Sequence, residues 1–161
     1  MAAVSDAAAQ ADRMWERLFE LALFVRSGGV HRKPTEILKA FLKPASVGHN
    51  KLSKAERSKL TYAFKFLRDA YKNSDLGNTR LASDQTHFYI MITSLLASDL
   101  LARVEHAELA KKLTKFGKLI AARSTSDSEI RQYLDLSSKQ TTDAEKRKER
   151  QKLFVETVNR L

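Results

Sequence analysis

The side chains best able to hold a metal or move a proton in this chain are four histidines, His31, His49, His87 and His106, and a scatter of Asp and Glu. The histidines are dispersed, and Glu105-His106 is a common helix-start composition, so no metal site is read from them. Cysteine is absent, which removes thiolate ligands, a cysteine nucleophile and disulfides. Asp84, Asp99 and Glu105 have no partner at a spacing diagnostic of acid–base work. Ser27-Gly28-Gly29 lacks the Walker spacing and reads as a helix terminator rather than a phosphate loop. No metal and no cofactor are expected.

Cationic side chains offer more. Residues 26–72 hold 12 basic and 3 acidic residues, so most of the formal net charge of +10 sits in that stretch. Such a concentration draws polyanions and raises encounter rates, although it also serves simply to keep a domain soluble. Arg32, Lys33, Lys39, Lys43, Lys51, Lys54, Arg57 and Lys59 are the candidate nucleic-acid contacts. Few aromatics there read as exposed, which suits backbone contact better than base stacking. Two spacings, Arg26…His31 and Arg80…His87, resemble the pattern by which all-α HEPN ribonucleases place Arg and His at a helix start. The first falls on a glycine turn. In the second, Leu81 stands where that family usually has a polar residue, while His87 does begin a helix. Arg80 and His87 are thus the alternative catalytic pair.

The run from Ser137 to Phe154, SSKQTTDAEKRKERQKLF, looks at first like a basic arm. With Thr142 or Asp143 as N-cap, a helical wheel divides it. Asp143, Arg147, Arg150, Phe154, Val158 and Leu161 share one stripe, and Lys148 and Lys152 fall on a solvated face with Glu145 and Glu156. Arginines on a core-facing stripe need partners. An ion pair with Asp99, Glu105 or Asp135, a phosphate contact, and snorkelling all remain open.

Apolar residues recur at helical spacing almost throughout, which predicts an all-α, bundle-like single domain over 1–161, with 1–12 frayed. Six or seven helices are expected. The first spans Ser5 to Arg26, with Met14, Leu18, Leu21 and Val25 as a stripe widened by Trp15, Phe19 and Ala22. Pro34 opens a short helix, Thr35 to Leu42, and a loop runs from Pro44 to Asn50. Ser53-Lys-Ala-Glu56 is a capping-box pattern opening a helix to about Lys72 that buries Leu60, Phe64, Leu67 and Tyr71. A turn-rich connection covers Asn73 to Ser83. A helix capped by Ser83 or Asp84 and apolar on most of its circumference, 86–102, should be the centre of the fold. Helices over about Glu105–Ala122, Glu129–Leu136 and Asp143–Leu161 complete it, with a polar loop at 137–142. No run of 18 apolar residues and no leader pattern is seen, so no membrane association and a cytoplasmic location are expected.

Thr141-Thr142-Asp143 followed by Arg147, Arg150 and an apolar tail resembles the end of the family named for the N-terminal domain of GmrSD-type restriction enzymes. Thr86-His87-Phe88-Tyr89, leading into Ile90–Leu101, is similar to a segment of the same helical region, and Trp15–Leu23 occupies a similar place. The family comprises prokaryotic modification-dependent and phage-defence nucleases. Their catalytic part carries a D-G-Q-Q-R motif, and this chain has no Asp-Gly dipeptide. The resemblance therefore implies the helical portion alone, without catalytic residues of that family. It would bind nucleic acid, DNA in preference to RNA, or a catalytic partner subunit, and a homo-oligomer is compatible with it. The HEPN-like ribonuclease and a purely structural or interaction module stand as the other readings.

Overall fold

The computed structural model describes residues 17–27, 52–123, 126–138 and 143–161, and among these the chain is all-α. The helices are α1 (17–27), α2 (Lys54–Asn73), α3 (Arg80–Ser83), α4 (Gln85–Ala97), α5 (Leu100–Arg103), α6 (His106–Ala121), α7 (Ser128–Ser138) and α8 (Ala144–Arg160), with a 3-10 turn at Asp75–Asn78. The Thr35–Leu42 helix, the Pro44–Asn50 loop and residues 1–12 lie outside the described residues. None of the described helices is long and apolar enough to cross a membrane.

The expected central helix is α4. From Tyr89 to Leu96 every side chain is buried, as is His87. Its neighbours include α2, α3 and α8. Asp84 starts it by accepting from the amides of Thr86 at 2.8 Å and His87 at 3.2 Å. Thr93 is tolerated in the interior because its hydroxyl donates to the Tyr89 carbonyl at 2.7 Å.

The helix does not continue to residue 102 as the apolar pattern predicts. Ser98 donates to the Ser94 carbonyl at 2.7 Å and takes the Leu100 amide at 3.4 Å. Serine's local bonds compete with the helical ladder, and the chain restarts as α5. The predicted turn-rich stretch 73–83 likewise contains ordered elements, the 3-10 turn and α3, which set Leu76 and Leu81 fully in the core. Gly117 lets α6 pass close to Thr79: a Cβ there would lie 2.6 Å from the Thr79 Cβ.

Two stripes are rotated from their sequence reading. On α2 the buried residues are Ala63, Phe66, Leu67 and Ala70, whereas Phe64 and Tyr71 are exposed. Ala63, Phe66 and Ala70 face the neighbours, and Phe64 and Tyr71 are displaced by nearly one residue's rotation about the axis. On α1, Leu18 and Phe19 are exposed, and Glu20, Leu21 and Phe24 are buried. Serines 137 and 138, expected in a loop, are the last turn of α7.

Candidate functional site

The two arginines of the last helix resolve first. Asp143 caps α8, accepting from the amides of Glu145 at 3.0 Å and Lys146 at 3.1 Å. That start fixes the wheel, so Arg147, Arg150, Leu153, Phe154, Thr157 and Val158 are all buried. Lys148 and Lys152 stay at the surface with Glu145 and Glu156. Arg147 meets Glu20 of α1 at 3.7 Å, with both side chains at most 5% exposed. Its guanidinium also lies 4.8 Å from the centroid of the Tyr89 ring, a cation–π distance. Glu20 takes a second cation, Arg17, at 2.6 Å.

The acids named from sequence as partners are committed elsewhere or stand apart. Asp99 holds Arg103 at 2.7 Å, and Glu105 caps α6 through the amides of Ala107 and Glu108. Asp135 makes no ion pair among the described residues. Arg150 is fully buried and donates from Nε to the Lys146 carbonyl at 3.2 Å. Arg147 therefore ties the last helix to α1 and α4, whereas this bond of Arg150 stays within α8.

Of the predicted nucleic-acid contacts, Arg32, Lys33, Lys39, Lys43 and Lys51 lie outside the described residues. Lys54, Arg57 and Lys59 occupy the exposed first turns of α2. Lys54 and Arg57 are brought together with Ser58, Thr61, Tyr62 and Lys65 around a shallow groove of about 350 Å³. The spacing of these residues by three and four keeps them on one helical face; Lys59 points away from it.

The acids near this face pair with none of its lysines or Arg57 among the described residues. The Glu56 carboxylate takes the Ser53 amide at 2.6 Å, and the Ser53 side chain together with that amide holds its pKa below the usual value. Asp69 pairs with Arg68 at 3.1 Å. Lys54, Arg57, Lys59 and Lys65 make no ion pair among the described residues. Tyr62, 48% exposed, stands in the groove and is held by its hydroxyl, 3.1 Å from Nε2 of His106. Sequence reading missed Tyr62 and Lys65. The signal was present, since they continue the Lys54/Arg57/Ser58 spacing opposite Ala63 and Phe66.

Arg80 and His87 share a cavity. Both line a second cavity, of about 360 Å³, enclosed by Asp84 and Thr86, by Arg123 beyond α6, and by Arg131, Leu134, Asp135, Ser137 and Ser138 of α7. His87 is only 3% exposed. Its Nδ1 lies 3.0 Å from the Tyr133 hydroxyl, and the two rings stack at 5.5 Å. Burial, helped by Arg80 and Arg150 and opposed by Asp84, pushes its pKa down, so the imidazole is neutral at pH 7. Arg123 and Arg131 come from 43 and 51 residues further along than Arg80, and no sequence pattern links them. Among the described residues no group of His, Asp and Glu is arranged to hold a metal ion.

Fold and surface together define a helical module with a cationic face. In comparisons with family models, curated proteins and solved structures, none matches the chain.

Proposed function

We propose that the chain is a non-catalytic helical module that binds nucleic-acid backbone, duplex DNA first, through the exposed face of α2. The observation that carries this reading is the groove in which Lys54, Arg57 and Lys65, none holding a carboxylate of the described residues, surround the exposed ring of Tyr62. Lysine and arginine in such a groove neutralise phosphates and release counterions. An anchored aromatic ring adds a stacking surface for an unpaired or frayed base. The resemblance of Thr86–Tyr89 and Arg147/Arg150 to the helical region of GmrSD-type proteins gives the module a context in modification-dependent restriction, with a catalytic partner supplied by another domain or subunit.

Electrophoretic mobility of labelled duplex DNA and RNA at rising salt tests this. Affinity should fall with the logarithm of salt concentration. Lys54→Ala/Arg57→Ala/Lys65→Ala should lower the steepness by about 2–3, near 0.9 per lost phosphate contact. Absence of binding at about 50 mM salt, or a slope near zero, overturns the reading. The ribonuclease reading has the shared cavity of Arg80 and His87 in its favour. The burial of His87 and its bond to Tyr133, however, favour a wall of a binding cavity over a proton-transfer group reaching RNA.

A further inference from the structure

The cavity beside His87 shares no lining residue with the α2 groove and has a charge pattern of its own. Arg17, Arg68, Arg103, Arg147 and Arg160 each hold a carboxylate. Arg80, Arg123 and Arg131 hold none among the described residues, yet all three line one cavity of about 360 Å³. That volume lies at the small end of ligand pockets, about 300–1,000 Å³. Three guanidiniums against two carboxylates, Asp84 and Asp135, leave the lining with an excess of positive charge, which an anion between the arginines would offset.

The other polar groups of the wall narrow the choice of anion. Asp84 accepts from the amides at the start of α4, which turns its oxygen to the helix end while its charge is still felt at His87. The hydroxyls of Ser137 and Ser138 donate to the carbonyls of Tyr133 and Asp135, so the charged donors of the wall are the three arginines. Asp135 adds a second carboxylate to the rim, which opposes any anion, so the three guanidiniums must outweigh it. A phosphate monoester carries close to two negative charges at pH 7 and three acceptor oxygens, which match guanidinium forks; an internal phosphodiester carries one.

Arg123 supplies an independent sign. It follows α6 at φ 48°, in the left-handed region where a glycine would end a helix without steric cost. An arginine is held there nonetheless, and its side chain lines the cavity.

We propose that Arg80, Arg123 and Arg131 form a binding site for a phosphate monoester, either a free nucleotide or the phosphorylated end of a nucleic acid. The site is independent of the α2 face.

Calorimetric titration of the full chain with inorganic phosphate, adenosine monophosphate, and one short single-stranded oligonucleotide carrying either a 5′-phosphate or a 5′-hydroxyl would test it. Adenosine monophosphate binding identifies a free nucleotide as sufficient. Preference for the 5′-phosphorylated over the 5′-hydroxyl oligonucleotide, without nucleotide binding, identifies the nucleic-acid end. In either case Arg123→Gly and Arg131→Gln should each weaken the interaction at least about tenfold, as loss of a charge-assisted contact does. Glycine suits the backbone at 123, so Arg123→Gly should leave the melting temperature unchanged or higher. Lys54→Ala/Arg57→Ala/Lys65→Ala should retain phosphate-monoester binding, which separates this site from the α2 reading. Equal affinity for both oligonucleotides with no binding of phosphate or adenosine monophosphate, or binding unaltered in both arginine variants, would overturn the proposal.

Discussion

Arg147 and Glu20 show what one buried pair demands of its surroundings. Each is almost completely removed from water and each is the other's counter-charge. Removing Glu20 takes this carboxylate from the buried Arg147, whereas removing Arg147 leaves Glu20 with Arg17 at 2.6 Å. Breaking a buried pair costs about 3–5 kcal/mol in comparable cases, and the loss should be larger for Glu20. Glu20→Ala and Arg147→Ala should both lower the midpoint of urea unfolding strongly, while Glu20→Leu/Arg147→Met should recover much of it. A double variant as unstable as the sum of the singles would show that the two residues do not act as a pair. His87 makes the second prediction at this scale. Its pKa is lowered in the fold by burial, Arg80 and Arg150, with Asp84 opposing. The unfolded chain therefore takes up the proton more readily. Stability should be full above the unfolded value of about 6.5 and decline as pH falls through it toward the folded value. Urea unfolding between pH 7.5 and 5.0 should show that decline, and His87→Gln should flatten it; an identical decline in the variant would assign the effect to other groups.

Among the elements, α6 and α3 come closest at Gly117. The Thr79 Cβ and Oγ1 would each lie 2.6 Å from an added Cβ, and Thr79 is buried with its hydroxyl on the Leu76 carbonyl at 2.8 Å. Gly117→Ala must push the 3-10 turn and α3 away from α6. Overpacking of this kind costs about 1–3 kcal/mol, outweighing alanine's advantage in helix propensity of up to about 1 kcal/mol. Thermal melting of Gly117→Ala should fall, and adding Thr79→Ala should restore little, since the Cβ itself is in the clash. An unchanged melting temperature would mean that the two elements separate without loss. The same close approach explains why α3, only one turn long, is part of the core rather than a loop: Leu81 enters it fully.

For the whole molecule, charge is distributed by function of burial. Among the described residues Arg17, Arg68, Arg103, Arg147 and Arg160 are paired, through Glu20, Asp69, Asp99, Asp127 and Glu129. Cations without an ion pair among the described residues gather on the α2 face and in the His87 cavity. These two places make different predictions: the α2 face should bind in a steeply salt-dependent way along nucleic-acid backbone, and the cavity should discriminate a terminal phosphate.

Much of the secondary structure was legible along the chain because it depends on near neighbours. Ser53 with Glu56, Asp84 and Asp143 cap the helices as their types predict. The 3.6-residue period places Arg147, Arg150, Phe154 and Val158 on one buried stripe. An apolar circumference marks α4 as central. Other features required partners distant in sequence. The rotation of α1 that turns Glu20 inward, and of α2 that turns Ala63 and Ala70 inward, follows from what lies opposite. A wheel records which residues share a face but not which face another helix will cover. The choice of Glu20 over Asp99, Glu105 or Asp135 was likewise made by packing, as was the meeting of Arg80, Arg123 and Arg131. The sequence by itself determined an all-α chain with capped helices and a basic middle. Only the tertiary structure decided which of its charges are spent inside the fold, because ion pairing depends on distance in space and not along the chain.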